Sequence, residues 1–228
     1  MTLAFENRLF YILEKAGMAM NFLIVDFEFT MYRKRVGRPN GFFPEIIEIG
    51  AVKYDADGNE LARYQNFVKP HFYPKQAKEG MQFCMITEKD MKTAIEFPEM
   101  LNGLADMYEA GNTLFVTWGD EDYKVLDQGC NRHKLENPIK ITDGLDLALA
   151  YRLYKGDDYT TGLKKATEEL EAGGDGLWHT AFDDAVNTGR VLFKLMEKGW
   201  KLEDFRKAEA EFRAEIEERK AARKNKMI

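Results

Sequence analysis

Two acidic residues interrupt a stretch that otherwise has the composition of a buried β-strand. The segment at 21–30 reads NFLIVDFEFT, so Asp26 and Glu28 stand among large apolar residues. Because side chains alternate between the two faces of a strand, Asp26, Glu28 and Thr30 share one face and the aromatic residues share the other. Unpaired carboxylates are costly to bury and are kept mainly where a cation or a partner charge offsets the lost hydration. The stretch indicates a divalent-metal site, and the alternative is an ordinary strand with one face in solvent.

A third carboxylate is directed inward by the helical pattern at 119–134. On the predicted helix, Asp122 shares a face with Val125 and Leu126, which are apolar and expected to be buried. Asp120 falls on the solvent side, where we expect its side chain to cap the helix. The predicted inward carboxylate is therefore Asp122 and not Asp120.

A histidine and a fourth carboxylate lie together at the start of another predicted helix, at 180–197. Thr180 is the predicted N-cap, with Asp183 three residues later in an approximate capping box. Asp184 lies in the first turn, and because helical side chains lean towards the N-terminus it points to the same end as His179. A histidine at this place is either structural or a functional group over a site. The chain contains only three histidines, and this one lies five residues from an acid.

The bulk composition limits the classes of protein to which the chain can belong. Its 228 residues suit one domain with appendages, and a net charge of −6 argues against extensive coating of nucleic acid without excluding a nuclease. Cys84 and Cys130 match no metal-ligand or redox spacing, so we interpret them as reduced thiols in a cytoplasmic protein. No apolar run approaches the ~20 residues of a membrane span. The charged positions within 1–19 do not fit a signal peptide.

The elements that must position these residues follow from hydrophobic periodicity. Three strands come first and are expected to pair antiparallel, and strands and helices alternate after them. This order indicates an α/β fold with a mixed five-stranded sheet flanked by helices. The segment at 69–84 carries two prolines and is predicted to be an irregular loop. The predicted strands span 21–30, 43–54, 60–68, 113–117 and 139–141, and predicted helices begin near 87 and span 98–109, 119–134, 145–154, 160–171, 180–197 and 202–227.

The chain divides into three parts. Residues 1–19 form an N-terminal extension with helical spacing, residues 20–200 form the main domain, and residues 201–228 form a charged helix with acid–base pairs four residues apart. A basic loop follows the first strand and carries Arg33, Lys34, Arg35 and Arg38. This loop fits contact with phosphates and simple solvation equally well.

Three separated motifs resemble, in order and spacing, those of the DEDD 3′–5′ exonucleases of the histidine subgroup, DEDDh. The motifs are Asp26-x-Glu28, Asp122 and His179-x₄-Asp184. A tyrosine-subgroup site needs a tyrosine where Thr180 stands. The runs at 42–48, 116–119 and 124–126 look like those of the bacterial sporulation-inhibitor exonucleases of the KapD type, which are similar to the Eri-1-like RNA 3′-exonucleases.

The resemblance implies a ribonuclease-H-like fold and a metal-dependent 3′–5′ exonuclease. It would release nucleoside 5′-monophosphates from single-stranded ends, with RNA favoured over DNA. Four carboxylates would hold two Mg²⁺ or Mn²⁺ ions about 4 Å apart, namely Asp26, Glu28, Asp122 and Asp184. His179 would be the general base, and Thr30 would contact the terminal sugar. Further candidate substrate contacts are Phe29, Met85, Ile86, Trp118, Arg33, Lys34 and Arg35, and Trp118 fits core packing as well.

A second hypothesis is a regulatory protein of the sporulation-inhibitor type, in which the nuclease site is secondary. Its charged C-terminal helix at 201–228 would dock a protein partner. Removal of residues 203–228 separates the two hypotheses, because a regulatory activity that survives truncation and is lost on Asp26→Ala belongs to the nuclease site.

Overall fold

The computed structural model of the protein describes residues 20–32, 37–174 and 176–225. The helix predicted within 1–19 lies outside these residues, as do Arg33, Lys34 and Arg35 of the basic loop. Within the described ranges, no helix has the length and apolar content needed to cross a bilayer.

A mixed sheet of five strands runs through the molecule, as the sequence predicts. Its strands are β1 at Asn21–Phe29, β2 at Ile46–Tyr54, β3 at Glu60–Phe67, β4 at Thr113–Thr117 and β5 at Gly144–Asp146. Their order across the sheet is β3-β2-β1-β4-β5. β1 is antiparallel to β2 and parallel to β4, so the first strand is central. Its acidic end therefore lies at the carboxyl edge of the parallel strands, where open α/β sheets commonly bind their ligands.

The fifth strand differs from the prediction. A strand at 139–141 is wrong, because Ile141–Asp143 forms a turn of 3₁₀-helix and β5 follows it. Ile141 is 73% exposed and Leu145 is 2% exposed, so the apolar residue that the sheet buries is Leu145. β2 also begins later than predicted, after Pro44, which has no N–H to donate to a strand ladder.

Seven α-helices flank the sheet in the described part of the chain. They are α1 at Ala77–Phe83, α2 at Phe97–Met107, α3 at Glu121–His133, α4 at Leu147–Lys155, α5 at Leu163–Glu169, α6 at Ala181–Glu197 and α7 at Leu202–Asn225. The six helices from α2 to α7 match predicted ones and differ only at their ends. The helix predicted near 87 is a single 3₁₀ turn at Asp90–Lys92, where the Thr87 hydroxyl accepts the N–H of Asp90.

The prediction of an irregular loop at 69–84 is wrong, because α1 lies within it. A glycine inside a helix costs about 1 kcal/mol relative to alanine, so Gly80 weakens the local helical signal. In the fold this glycine is a point of close contact, since a Cβ at Gly80 would lie 2.8 Å from the carbonyl oxygen of Phe29. Packing against the end of β1 therefore stabilises α1, which local helix propensity does not predict.

The two faces of β1 pack against different helices. Val25 and Phe27 belong to a core shared with α2 and α3, whereas Ile24 belongs to a core shared with α4, α5 and α6. Because the faces alternate, Asp26 and Glu28 continue the face of Ile24 towards α6. The alternation predicted from the sequence is thus confirmed, and it directs both acids at a helix that carries a further acid.

The charged C-terminal helix contacts the body mainly at its start, where Phe205 is buried. Further along, two predicted four-apart pairs are formed, Arg213 with Glu209 at 2.6 Å and Arg219 with Glu215 at 2.5 Å. Such exposed pairs contribute about 0.3–0.5 kcal/mol each, so they support the helix itself.

Candidate active site

Asp122 is tied directly to the acidic strand. It lies in the first turn of α3, is buried, and accepts a hydrogen bond on Oδ1 from the backbone N–H of Phe27 at 2.9 Å. Phe27, the residue between the two acids of β1, thus holds the third carboxylate against the strand. Asp122 points inward, as the helical pattern predicts. The expected cap at Asp120 is wrong, because that side chain pairs with Lys124 at 2.8 Å and makes no capping bond.

The turn before α6 places a histidine and a carboxylate side by side. The N–H of His179 donates to Asp184 Oδ2 at 3.0 Å, and His179 has a φ of 68°, in the left-handed region. A non-glycine residue there costs about 1–3 kcal/mol, which suggests that the side chain at this position is needed. Thr180 precedes the helix as predicted. The expected capping box is wrong, because the side chain of Thr180 makes no capping hydrogen bond to the helix. Its hydroxyl donates instead to the Leu177 carbonyl at 2.7 Å.

A fifth carboxylate, which the sequence analysis missed, borders the site. Glu48 on β2 lies opposite Glu28 in the strand register and is 2% exposed. It accepts hydrogen bonds from Gln65 Nε2 at 3.2 Å and from the N–H of Ala181 at 3.4 Å. It therefore joins two strands to the first residue of α6. An acid within the apolar run of β2 was the available signal, whereas its place opposite Glu28 depends on strand pairing.

The end of α1 reaches the site as well, through two residues that local patterns do not single out. The thiol of Cys84 donates to Glu28 Oε2 at 2.8 Å. The ring of Phe83 packs on the ring of His179, with 4.4 Å between centroids.

Burial raises the pKa of every acid that the sequence analysis placed in the site. It is the largest cause in each case, and it raises the pKa values of Glu28 and Asp122 to about 7. The pKa of Asp26 is raised well above its ordinary value, first by burial and then by the charges of Asp122 and Glu28. Burial also raises the pKa of Asp184, and the N–H of His179 partly opposes this rise. For all four carboxylates to be ionised near neutral pH, a positive charge must lie among them.

The donor set fits hard divalent cations. The four predicted carboxylates offer only oxygen atoms, which Mg²⁺ and Mn²⁺ prefer. Within the described residues, Oδ1 of Asp184 is buried without a hydrogen-bond partner, a costly state unless a cation contacts it. Ligand atoms of Glu28, His179 and Asp184 all lie within 4.8 Å of one another. The residues at the end of β1 therefore suit a metal centre.

The predicted substrate contacts differ in exposure. Met85 is 55% exposed with a φ of 60°, and Phe29 is partly exposed. Ile86 and Thr30 are buried, and the Thr30 hydroxyl accepts the N–H of Glu45 at 2.9 Å. Both side chains pack at the strand end and the turn beside it, and the sugar contact of Thr30 and the base contact of Ile86 stay predictions.

Two further predicted contacts have structural partners. Trp118 is half-buried and packs with Tyr151, with 6.3 Å between ring centroids, which favours its core role. Arg38, the described cation of the basic loop, lies over the ring of Phe42 at 5.1 Å and donates to the carbonyl of that residue. Its guanidinium thus contacts the segment that leads into β2.

Gly50→Ala is expected to weaken metal binding by moving α6. A Cβ at Gly50 would lie 2.2 Å from the carbonyl carbon of Ala181, so the helix start that carries His179 and Asp184 must shift away from β2. We expect a loss of about 1–3 kcal/mol in the free energy of unfolding and a higher Kd for Mn²⁺, measured by denaturant unfolding and calorimetry. Gly162→Ala is the control, because a Cβ there meets no atom within 4 Å. Unchanged Mn²⁺ affinity in Gly50→Ala would contradict this view of α6.

Asp122→Asn is expected to raise the melting temperature of the metal-free protein at pH 8. The folded-state pKa of about 7 exceeds the unfolded value of about 3.9. The folded state therefore binds more protons between these pH values, and wild-type stability falls as pH rises through that window. The amide oxygen still accepts the N–H of Phe27. In EDTA we expect a rise of about 2–4 °C or more that shrinks towards pH 4, measured by scanning calorimetry.

The control for this stability experiment is Glu136→Gln, an exposed acid just beyond the end of α3, for which no rise is expected. A lower melting temperature for Asp122→Asn at both ends of the pH range would mean that its charge is stabilising, and the prediction would fail.

A mixed five-stranded sheet with carboxylates gathered at the end of its central strand defines a ribonuclease-H-like nuclease. The family model RNase_T, described as Exonuclease, matches residues 23–192. The chain belongs to this exonuclease family and is a 3′–5′ exonuclease, as the three motifs predict. Family membership also implies dependence on divalent metal ions, which the oxygen donors of the site accommodate.

Individual proteins similar to this chain support its assignment to the exonuclease family. A Bacillus subtilis (strain 168) protein named "Probable 3'-5' exonuclease KapD" is 39% identical over 176 residues, covering 77% of this chain and 84% of that protein. The Mus musculus "ERI1 exoribonuclease 2" is 29% identical over 202 residues, covering 78% of this chain and 28% of that protein. The solved nuclease domain of 3′hExo, "a DEDDh family member, bound to rAMP", has a TM-score of 0.70 at 24% identity over 80% of this chain and 94% of that one. This likeness confirms the predicted fold.

Proposed function

We propose that the protein degrades single-stranded nucleic acid from the 3′ end, RNA in preference to DNA, and releases nucleoside 5′-monophosphates. One observation carries the proposal: four carboxylates from β1, α3 and α6 meet beside a histidine at the carboxyl end of the central strand. These residues are Asp26, Glu28, Asp122, Asp184 and His179.

The four acids would hold a pair of divalent cations, Mg²⁺ or Mn²⁺. When bound, such ions would supply activation of the attacking water and stabilisation of the charge that develops on the scissile phosphate. The protein fixes its ligands through the backbone, since the N–H groups of Phe27 and His179 hold the carboxylates of Asp122 and Asp184. This leaves Oδ1 of Asp184 for a cation.

His179 is the general base. Its imidazole is exposed, and one of its nitrogens lies within 4.8 Å of oxygen atoms of Glu28 and Asp184, so it stands at the mouth of the acidic group. A neutral imidazole accepts a proton readily near pH 7. Fixing the backbone of His179 against Asp184 ties the position of the base to that of a metal ligand.

The preference for RNA is supported by what is bound or named in similar proteins. The Mus musculus relative is named an exoribonuclease, and the 3′hExo domain was solved with rAMP, a ribonucleoside monophosphate. The same ligand supports monophosphates as the product class.

An exposed apolar surface beside the site suits the bases of an unpaired 3′ end. Phe83, Met85 and Leu177 are 39%, 55% and 61% exposed, and Phe83 touches the ring of His179. Phe29 at the end of β1 is partly exposed too. Unstacked bases are commonly held by aromatic and apolar side chains, which act without regard to base identity.

The test is degradation of 5′-labelled single-stranded RNA and the matching DNA in Mg²⁺, Mn²⁺ or EDTA. We expect a ladder that shortens from the 3′ end, faster on RNA, and that EDTA and the double variant Asp26→Ala/His179→Ala abolish. Internal cleavage, or a DNA rate equal to or above the RNA rate, would refute the substrate assignment. Degradation in EDTA would refute the role of the cations.

A protein partner for α7 stays a prediction. The Bacillus subtilis and Mus musculus relatives are both named as exonucleases, which does not favour a regulatory role in place of the enzyme. Truncation after Arg213, which keeps the buried Phe205 at the start of α7, tests the partner directly, because hydrolysis of a short RNA should persist while partner binding is lost.

A further inference from the structure

The end of α1 contacts two members of the site that come from different elements. Cys84 donates its S–H to Glu28 on β1, and Phe83 packs on His179 before α6. Neither Phe83 nor Cys84 has a role in the proposed metal and proton chemistry. We infer that this helix end is a positioning element, in which Cys84 orients the metal-ligand carboxylate of Glu28 and Phe83 orients the imidazole of His179. The inference rests on the proposed function.

The Cys84 contact has the chemistry of an orienting hydrogen bond. Cys84 is 2% exposed, and its S–H donates to Glu28 Oε2 at 2.8 Å. Groups that hydrogen-bond to a metal ligand fix its orientation, and removing them typically weakens metal affinity about 10–100-fold.

The Phe83 contact restricts a side chain that is otherwise exposed. The two rings lie 4.4 Å apart at an interplanar angle of 48°, so the phenyl ring covers one side of the imidazole. Asp184 holds the backbone of His179, so the imidazole can still move only by rotation about its side-chain bonds. Contact with Phe83 restricts this rotation before substrate binds, so less conformational entropy is lost when the base takes up its reactive position.

The end of α1 is itself held firmly, which a positioning element requires. Gly80 allows the helix to approach the end of β1, where a Cβ would meet the Phe29 carbonyl oxygen at 2.8 Å. After Cys84 the chain turns through Met85 in the left-handed region, and the N–H of Ile86 bonds the Met81 carbonyl at 2.8 Å. Glycine is the usual residue at such a helix end, so methionine here keeps an exposed apolar side chain at a cost in backbone strain.

The first test is Mn²⁺ binding to the full chain by calorimetry, without substrate. Cys84→Ala is expected to raise the Kd about tenfold, and Cys84→Ser, which keeps a donor, is expected to stay within about twofold of the wild type. Cys130→Ala is the matched control, because it removes the other buried thiol. Wild-type affinity in Cys84→Ala would overturn the inference. If Cys84→Ser and Cys84→Ala weaken Mn²⁺ binding equally, the effect of Cys84 comes from packing and not from its hydrogen bond, and this result would also overturn the inference.

The second test is the imidazole signal of His179 in NMR spectra of the metal-free protein. A ring at 4.4 Å imposes a ring-current shift, so Phe83→Leu is expected to move the His179 ring protons and leave those of His71 and His133 in place. In turnover, kcat is expected to fall more than KM rises. An unmoved His179 signal, or a change in KM alone, would show that Phe83 contacts only substrate.

Both binding and NMR measurements are independent of hydrolysis. A wild-type protein that hydrolyses no nucleic acid would refute the proposed function while the Mn²⁺ and NMR results still decide whether α1 positions these residues. An active wild type with unchanged variants would refute the positioning role alone.

Discussion

Asp184→Asn is expected to lower kcat for RNA hydrolysis by about 10³-fold or more while leaving the fold intact. The amide is the same size, and its oxygen still accepts the N–H of His179, so the turn before α6 is preserved. What is lost is the charge on the buried Oδ1, which has no protein partner among the described residues. The variant should bind Mn²⁺ at least tenfold more weakly, measured by calorimetry beside single-turnover kinetics.

The stability of the same variant separates a metal ligand from a structural acid. Because burial raises the pKa of Asp184, the ionised form opposes folding, and Asp184→Asn should melt at or above the wild type in EDTA. Glu197→Gln, at the exposed end of the same helix, is the control and should change neither activity nor melting. Substantial activity in Asp184→Asn would remove this residue from the metal centre.

His179→Ala is expected to lower kcat about 10²–10⁴-fold, the range for a lost general base, with Mn²⁺ affinity close to that of the wild type. The imidazole is exposed and contributes little burial, so the variant should fold normally. The backbone N–H that holds Asp184 is kept by alanine. Measurement of kcat, KM and the Mn²⁺ Kd on one preparation distinguishes loss of the base from loss of the metal.

The pH dependence gives the His179 experiment a second readout. If imidazole takes the proton, wild-type kcat should rise with pH, and this rise should be absent from His179→Ala. His71→Ala is the matched control, since it removes a histidine distant in sequence from His179 and leaves the turn before α6 unchanged. A variant that keeps the wild-type pH profile at reduced kcat would assign the base to another group.

The acidic site has an energetic consequence for the whole domain. Several buried carboxylates with raised pKa values repel one another in the metal-free state, and Glu48 adds a further buried acid beside them. Such a site is stabilised when cations bind, since ligands that bind only the folded state raise its stability. The protein is therefore expected to melt at a higher temperature with Mn²⁺ than with EDTA, more so at pH 8 than at pH 5.

Local sequence patterns predicted much of this arrangement. The two-residue period of β1 separated Asp26 and Glu28 from the aromatic face, and the helical period put Asp122 inward. These patterns succeed because strand and helix geometry fix where neighbouring side chains point, whatever the rest of the chain does. The same rules failed where a signal was short or weak, as for the predicted strand at 139–141 and for α1.

The sequence by itself determined the fold class, the family and the identity of the candidate ligands and base, because these follow from residue types at short spacings. Only the tertiary structure decided what surrounds them. Glu48 reaches the site through the register of β1 and β2, and Cys84 and Phe83 reach it because Gly80 lets α1 approach β1 closely. These contacts join residues far apart in the chain, and their geometry depends on which strands pair and how closely helices pack, which no local periodicity encodes.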